Sequence, residues 1–262
     1  MKVKKAIYTL SLLVAAFALL VITVPVMASE TDDRIESAAK DSYVFKTYFK
    51  DDAINIESKD GVVALTGTVS QESHKSLAQD TVESLPGVKS VANGLEVKGE
   101  HPAEKSDAWI TAKVKATLFF HQSVSALTNV DTKDGVVTLK GEADNQAQLD
   151  LTTEYAKDVE GVKDVKNEMT VAQTTEKPVG TAVGEKASDL GEMIDDASIT
   201  ALVKGALLYH RSTSGLNTKV ETKDGVVTLT GKAKNAAEKD LAAKYAADVR
   251  GVKSVNNQMT TE

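Results

Sequence analysis

The stretch KDGVVTLTGKA, from Lys223 to Ala233, decides the fold because close copies of it occur twice more. These copies read KDGVVALTGTV from Lys59 to Val69 and KDGVVTLKGEA from Lys133 to Ala143. A second phrase built around Gly-Val-Lys follows each of them. The two phrases are separated by the same 26 positions in every copy, Gly61 to Gly87, Gly135 to Gly161 and Gly225 to Gly251. A constant internal spacing predicts three copies of one folded unit.

Each copy begins with a predicted helix. In copy 3 the apolar face of the helix follows Asp196, which is predicted to cap its N-terminus. Copy 2 repeats the pattern behind Asp107, and copy 1 has a looser version that includes the polar Ser42. The predicted core faces are Ile199, Val203, Ala206 and Leu207; Ile110, Val114, Thr117 and Leu118; and Ile35, Ala39, Ser42 and Tyr43.

A hairpin is predicted after this helix, because Asp-Gly between alternating apolar residues is the strongest short-range hairpin signal. A second helix follows, since apolar residues recur every four positions. These are Leu241, Tyr245 and Val249; Leu151, Tyr155 and Val159; and Leu77, Thr81 and Leu85. A short strand closes the unit. The predicted fold class is α+β: after an N-terminal signal helix, three tandem α-β-β-α-β domains, each a three-stranded mixed sheet with two helices on one face.

Glycines mark three fixed points in each copy. One lies in the hairpin turn, one is predicted to end the following strand, and one is predicted to end the second helix as a left-handed cap. We interpret them as structural residues that specify the fold and do not contact a ligand. They are Gly61, Gly67, Gly87, Gly135, Gly141, Gly161, Gly225, Gly231 and Gly251.

The predicted repeats occupy residues 30–98, 106–172 and 193–262. A longer connection at 173–191 is predicted to be flexible, so repeat 3 is expected to move more freely than repeats 1 and 2. Domains of this size bury small cores, and the chain has no Cys for disulfides. Contacts between neighbouring repeats are therefore expected to add stability.

Residues 1–28 have the pattern of a secretory signal peptide. Three lysines precede an apolar run, and Val26-Met27-Ala28 places small residues before a predicted cleavage site at Ser29. The alternative is an uncleaved membrane anchor, because the run is long enough to span a bilayer. No Cys follows the run, so attachment of a lipid to a new N-terminal Cys is not expected. We therefore expect a periplasmic protein that is not a lipoprotein.

Net charge limits the partners of the mature chain. Removal of residues 1–28 takes away three Lys and no acid, which changes the formal charge from −7 to −10. Such an acidic chain repels nucleic acid phosphate. Contact with an anionic membrane would need a local basic or apolar patch.

The repeated phrases resemble the BON domain. The family pattern is a turn Gly followed by V-x-L-x-G and later by GV-x-x-V-x-N. The matching residues are Gly61, Val63, Leu65, Gly67, Gly87, Val88, Val91 and Asn93; Gly135, Val137, Leu139, Gly141, Gly161, Val162, Val165 and Asn167; and Gly225, Val227, Leu229, Gly231, Gly251, Val252, Val255 and Asn257. The resemblance implies the α-β-β-α-β fold, an envelope location, a link to osmotic or envelope stress, and binding of phospholipid membranes or envelope proteins. It implies no catalysis.

Trp109, the only Trp of the chain, is the first candidate for lipid contact. The equivalent positions in the sister repeats are polar, Arg34 and Ser198, which predicts an exposed ring. Lys113 and Phe120 lie on the same helical stripe, and an exposed Trp beside Lys suits the membrane interface. The alternative is that this stripe packs against a neighbouring repeat or linker.

Other candidate sites are weak. His121 and His210 end the predicted first helices, where histidine is electrostatically favourable, and this interpretation is preferred over a metal or pH-sensing role. No His-x-x-x-His pair or clustered ligand set occurs, so neither zinc nor another cofactor is expected. Gly135 and Gly141 lack the Lys-Ser/Thr ending of a phosphate loop. No motif for nucleophilic or acid–base catalysis is present.

Two function classes therefore remain. The first is a non-enzymatic periplasmic protein that binds phospholipid surfaces under envelope or osmotic stress. The alternative is a periplasmic protein-interaction or chaperone-like module for envelope proteins. An enzyme is the third possibility, and no feature of the sequence favours it.

Overall fold

The computed structural model describes residues 30–99, 102–124, 128–172, 194–213 and 217–261. The predicted signal peptide and the 173–191 connection lie outside these residues. Repeat 1 consists of α1 (Glu30–Asp41), α2 (Tyr43–Tyr48), β1 (Ala53–Lys59), β2 (Val62–Val69), α3 (Glu72–Glu83) and β3 (Ser90–Val97).

The other two repeats follow the same order. Repeat 2 consists of α4 (Asp107–Phe120), β4 (Asn129–Lys133), β5 (Val136–Lys140), β6 (Glu142–Ala143), α5 (Gln146–Lys157), β7 (Asp164–Asn167) and β8 (Thr170–Val171). Repeat 3 consists of α6 (Asp196–Tyr209), β9 (Thr218–Lys223), β10 (Val226–Ala233), α7 (Ala236–Ala247), β11 (Ser254–Asn257) and β12 (Thr260–Thr261).

Each repeat has a mixed sheet with the second hairpin strand in the middle. β2 pairs antiparallel with β1 and parallel with β3. β5 and β10 are the central strands of the other sheets, with β4 and β9 antiparallel and β7 and β11 parallel to them. The predicted fold class is confirmed, because a crossover helix must connect two parallel strands.

The hairpin turns form as predicted. Asp60 and Gly61 have φ of 54° and 79°, and the Asp-Gly pairs of the other repeats are nearly identical. Positive φ at both positions is the signature of the type I′ turn. All nine structural glycines have positive φ. At Gly67 a Cβ would lie 1.9 Å from the Ala53 carbonyl oxygen, so no other residue fits without a backbone shift.

Three local expectations were wrong. The middle glycines do not end the strand in repeats 1 and 3, because β2 and β10 continue beyond them. The second helices end four residues before the third glycine, α3 for example at Glu83. The caps of α4 and α6 are Ser106 and Asp195, one residue earlier than expected.

Asp107 and Asp196 instead hold the hairpin turns. The carboxylate of Asp107 accepts hydrogen bonds from the backbone N–H groups of Asp134 and Gly135, both at 2.8 Å. Asp196 binds the turn of repeat 3 in the same way, and Asp32 that of repeat 1. An aspartate in the first turn of each first helix therefore fixes the helix to its hairpin.

The cores lie where the apolar patterns predict. All twelve first-helix positions named in the sequence analysis are buried. Two leucines of the second helices are exceptions, since 38% of Leu151 remains exposed and Leu241 is only half-buried. In repeat 1 the first helix is broken at Ser42, whose hydroxyl donates to Ala39 O at 2.8 Å and caps α2.

Repeat 1 forms one compact unit, and repeats 2 and 3 together form a second. The expectation that repeat 3 moves freely was therefore wrong. Its first helix α6 packs against α4 of repeat 2, and the contact depends on side chains at the ends of both helices.

Candidate functional site

The contact between α4 and α6 begins with aromatic packing. Phe120 is only 4% exposed, and its ring stacks on Tyr209 with 5.7 Å between centroids. Gly205 makes room for this ring, because a Cβ there would lie 3.0 Å from Phe120 Cζ. Phe120 therefore belongs to the interface between repeats and is not available to lipid. This corrects its assignment as a lipid-contact residue.

Two histidines meet beside this contact. His121 and His210 are the C-terminal caps of α4 and α6, as their sequence positions predict. Their Nε2 atoms lie 2.9 Å apart, and both side chains are inaccessible to solvent. The two residues are separated by 89 positions in the chain, so their contact links repeat 2 to repeat 3.

Each histidine also faces a carboxylate of the sister repeat. His210 Nδ1 lies 3.2 Å from Asp158 Oδ2 of repeat 2, and His121 Nδ1 lies 3.3 Å from Asp248 Oδ2 of repeat 3. Both aspartates are the C-terminal caps of second helices, α5 and α7. A carboxylate is electrostatically unfavourable at that end of a helix. The partners across the interface compensate for this.

Hydroxyl groups complete the shell of each aspartate. Tyr245 OH donates to Asp158 Oδ2 at 3.0 Å, and Tyr155 OH donates to Asp248 Oδ2 at 2.7 Å. Ser212 Oγ donates to Asp158 at 2.5 Å, and Ser123 Oγ donates to Asp248. The same set of groups therefore occurs twice, related by exchange of repeats 2 and 3.

Stacked rings and backbone bonds close the interface. Tyr245 stacks on His210 with centroids 3.8 Å apart, and Tyr155 lies over His121 at 4.1 Å. The backbone N–H of Gln122 donates to Asp248 O, and that of Arg211 donates to Asp158 O, both at 2.9 Å. We call this set the His–Asp–Tyr cluster: His121, Ser123, Tyr155, Asp158, His210, Ser212, Tyr245 and Asp248.

The environment sets the charge of the cluster. Burial by itself would raise the pKa of Asp158, but hydrogen bonds from His210 and Ser212 outweigh it and lower the pKa. Asp248 has a lowered pKa for the same reasons, with His121 and Ser123 as its partners. Burial raises the pKa of Tyr155 far above its usual range, and the charge of Asp248 adds to the effect. The aspartates are therefore ionised and the tyrosines neutral around neutral pH.

Sequence reasoning did not bring these residues together. It interpreted the histidines as helix-end residues and the tyrosines as core. A signal was nevertheless present, because repeats 2 and 3 share histidine, tyrosine and aspartate at equivalent positions. Repeat 1 has Thr81 and Ser84 where the others have tyrosine and aspartate.

The accessible side chains of α4 form a second candidate surface. Trp109 is half-buried, and Lys113 Nζ lies 4.6 Å from its ring centroid and 5.0 Å from that of Tyr209. Further along this helix Lys115 is exposed, and 44% of Phe119 is exposed. These residues lie on two stripes of the helix, Trp109 with Lys113 beside α6 and Lys115 with Phe119 further round, because residues four apart share a side and residues two apart do not. We call the two stripes together the α4 face: Trp109, Lys113, Lys115 and Phe119.

The polar counterparts of Trp109 in the sister repeats do not by themselves establish that its ring is exposed. Its polar counterpart Ser198 is fully buried, where its hydroxyl donates to Asp195 at 2.7 Å. A polar residue at an equivalent position therefore does not guarantee exposure. The contact of Trp109 and Lys113 with lipid stays a prediction.

The described residues contain neither a membrane-spanning helix nor a cluster of metal ligands. No helix there combines the length and apolarity needed to cross a bilayer. Over the same ranges, no three His, Cys, Asp or Glu side chains are placed to hold a metal ion.

Three α-β-β-α-β units, each with a carboxylate-anchored Asp-Gly hairpin, define a tandem-repeat protein of small α+β domains. The sequence profile of the BON domain matches residues 31–99, 106–173 and 195–262. The chain belongs to the BON domain family.

Similar proteins come from several bacteria. The chain is 37% identical over 157 residues to osmotically-inducible protein Y of Escherichia coli K12, covering 60% of this chain and 73% of that protein. It is 32% identical over 130 residues to the 21 kDa hemolysin of Actinobacillus pleuropneumoniae, covering 50% and 60%. It is 29% identical over 161 residues to outer membrane lipoprotein DolP of Haemophilus influenzae, covering 62% and 69%.

A solved structure of CdsD, a structural protein of the type III secretion system of Chlamydia trachomatis, also matches. It is 15% identical and covers 87% of this chain and 90% of that one, with a TM-score of 0.23. No conclusion about this chain is based on a match with so low a TM-score.

Proposed function

We propose that the chain is a non-enzymatic periplasmic protein that binds anionic phospholipid surfaces through the α4 face. The observation that carries the proposal is the pairing of Trp109 with Lys113 on a helix that also presents Lys115 and Phe119 to solvent on a separate stripe. Aromatic rings and lysine stems suit the boundary between headgroups and acyl chains. Phe119 takes the place that the sequence analysis gave to Phe120.

The lysines of the α4 face supply local positive charge that can attract an anionic surface, although the mature chain as a whole is acidic. The mature chain is acidic, so approach to an anionic surface depends on a patch where positive charge is concentrated. Each Lys near such a surface contributes about 1 kcal/mol at low salt. Two lysines and two aromatic rings are expected to give weak, salt-sensitive, reversible binding.

The biological setting is inferred from relatives. Osmotically-inducible protein Y supports a role in osmotic stress, and DolP supports a role at the envelope. DolP is named as an outer membrane lipoprotein, whereas this sequence contains no Cys that could carry a lipid. We propose that the signal peptide delivers the chain to the periplasm and that the α4 face supplies its membrane contact.

Intrinsic fluorescence tests the proposal, because Trp109 is the only Trp in the chain. The mature protein is titrated with phosphatidylglycerol vesicles and, separately, with phosphatidylcholine vesicles. We expect a blue shift and co-sedimentation with the anionic vesicles at low salt, and loss of both as salt screens the charges. The absence of a shift at low salt would refute the proposal.

A matched pair of variants locates the surface. Lys115→Glu and Lys204→Glu reverse the charge at the same position of α4 and α6. We expect weaker vesicle binding in the first and unchanged binding in the second. Equal effects would indicate attraction to net charge and not to the α4 face.

The alternative function is a protein-interaction or chaperone-like module for envelope proteins. Pull-down from periplasmic extract, followed by Lys115→Glu, separates the two. If the variant retains its protein partners while vesicle binding is absent in both forms, the alternative replaces the lipid proposal.

A further inference from the structure

The positions of the hydrogens on the two histidines of the His–Asp–Tyr cluster follow from the atoms that each ring nitrogen faces. His210 Nδ1 bonds to Asp158, and His121 Nδ1 lies 3.3 Å from Asp248 without a hydrogen bond. The ionised carboxylate beside each Nδ1 favours a hydrogen on that atom in both rings. The Nε2 atoms face each other at 2.9 Å, a distance at which one must donate and the other accept. The space between them therefore holds one hydrogen.

We propose that one proton shared by His121 and His210 latches repeats 2 and 3 together, and that the latch weakens when the pair holds none or two. Without the proton, two nitrogen lone pairs face each other. With a second proton, two N–H groups and two positive charges face each other where both side chains are closed to solvent. In the intermediate state the two Nε2 atoms are satisfied by one hydrogen and His210 Nδ1 bonds to Asp158, whereas His121 Nδ1 lies 3.3 Å from Asp248 without a hydrogen bond.

The neighbouring groups do not titrate in the same range. The pKa values of Asp158 and Asp248 are lowered, and those of Tyr155 and Tyr245 are raised mainly by burial. Four further charged groups, Glu154, Lys157, Arg211 and Lys244, line the surface pocket beside Asp158 and Tyr245. Arg211 Nε is 3.6 Å from Asp158, and Glu154 adds to the raised pKa of Tyr245.

The pKa of His210 agrees with this account. Burial lowers it, the bond to Asp158 opposes that shift, and the charge of His121 lowers it further. A charge on His121 therefore favours the neutral form of His210. Such a pair titrates in two steps that belong to both rings.

The numbers of protons bound by the open and the closed histidine pair determine how opening of the interface depends on pH. An open pair of exposed histidines binds on average one proton near pH 6.5 and two in acid, whereas the closed pair keeps one. Acid therefore favours opening. Linkage gives a rise in the opening constant of about 25-fold between about pH 6.5 and about pH 4.5. Alkaline pH also favours opening, because the open pair then loses the proton that the closed pair keeps.

Two backbone amides report opening directly. Those of Gln122 and Arg211 donate across the interface, whereas those of Lys163 and Lys253 donate within their own repeats to Gly135 O and Gly225 O. Hydrogen exchange of the full chain is measured from about pH 4.5 to about pH 8.5 and corrected for the chemical rate. We expect protection of the first two amides to be greatest near pH 6.5 and to fall about 25-fold in acid, while the second two change little.

Variants and ring spectra complete the test. In His121→Gln/His210→Gln the pH dependence should disappear, and in His74→Gln, which changes a histidine of repeat 1, it should remain. Nitrogen NMR of the unmodified chain should give two well-separated titration steps for the pair. The proposal is overturned if Gln122 and Arg211 protection is independent of pH, if the double variant keeps the wild-type profile, or if both rings titrate independently.

Discussion

At the end of its second helix, repeat 1 has Thr81 and Ser84 where repeats 2 and 3 have tyrosine and aspartate. Thr81 Oγ donates to Leu77 O and Ser84 Oγ donates to Asp80 O, each at 2.7 Å. Both short side chains therefore bond to their own helix. The tyrosines and aspartates of the other repeats bond to the sister repeat instead. At these two positions repeat 1 satisfies its polar side chains within its own helix. Repeats 2 and 3 satisfy theirs through each other.

The buried histidines show the same contrast. His74 of repeat 1 is held within its own repeat, with Nδ1 2.5 Å from Asp52 and Nε2 2.8 Å from Gln71. His121 and His210 reach across an interface to find equivalent partners. The hairpin, its anchoring carboxylate and its glycines are common to all three repeats. Association therefore depends on the positions where the repeats differ.

The largest expected effect distinguishes the interface from the surface of α4. Phe120→Ala should lower the free energy of unfolding of repeats 2 and 3 by about 3 to 4 kcal/mol, because it removes a buried ring that nothing replaces. Phe119→Ala is the matched control, and it should cost less than about 1 kcal/mol since 44% of Phe119 is exposed. Urea unfolding of the full chain measures both. Similar losses in the two variants would contradict the assignment of Phe120 to the interface.

The next effect tests the aspartates that repeat 1 lacks. Asp158→Asn removes the charge that His210, Ser212 and Tyr245 share, and it should cost about 2 to 3 kcal/mol. Ser84→Ala, at the equivalent position of repeat 1, should cost about 1 kcal/mol because it loses one bond to its own helix. Thermal unfolding of each variant is compared with wild type. If Asp158→Asn were no more damaging than Ser84→Ala, the cluster would contribute little to association.

These contrasts explain what could be predicted from the sequence. The Asp-Gly turns, the buried faces and the order of elements depend on residues close together in the chain, and they were correctly identified. Asn93, Asn167 and Asn257 likewise complete the family pattern, and each donates to a carbonyl of its own second helix. Within a repeat, local pattern and structure agree.

Contacts between repeats could not be obtained in this way. His121 and His210 each fit the end of a helix, where histidine is favourable on its own, so neither demanded a distant partner. Phe120 lay on the same stripe as Trp109, and periodicity does not reveal where along a stripe a neighbouring helix lies. The length of the 173–191 connection suggested freedom for repeat 3, but a connection permits separation without requiring it.

A smaller effect concerns a feature that all three repeats share. Asp107→Asn should lower stability by about 1.5 kcal/mol, because the charged acceptor of two turn N–H bonds becomes neutral and offers one oxygen. Asp32→Asn and Asp196→Asn should cost nearly the same in their own repeats. Asp131→Asn, an exposed change of equal charge on β4, should have little effect in the same urea unfolding series. Unequal costs among the three would show that the hairpin anchors are not equivalent.

The smallest effect returns to the difference between repeat 1 and the others. Asn145 and Asn235 cap α5 and α7, accepting from Gln148 N and Glu238 N at 2.9 Å, so their replacement by Ala should each cost about 1 kcal/mol. Asn145→Asp keeps the acceptor and should restore wild-type unfolding. At the corresponding position Gln71 makes no side-chain cap bond and contacts His74 instead. Gln71→Ala should therefore change the environment of the His74 ring, seen by NMR, without the loss of helix protection that Asn145→Ala produces, since repeat 1 uses this position for its own histidine.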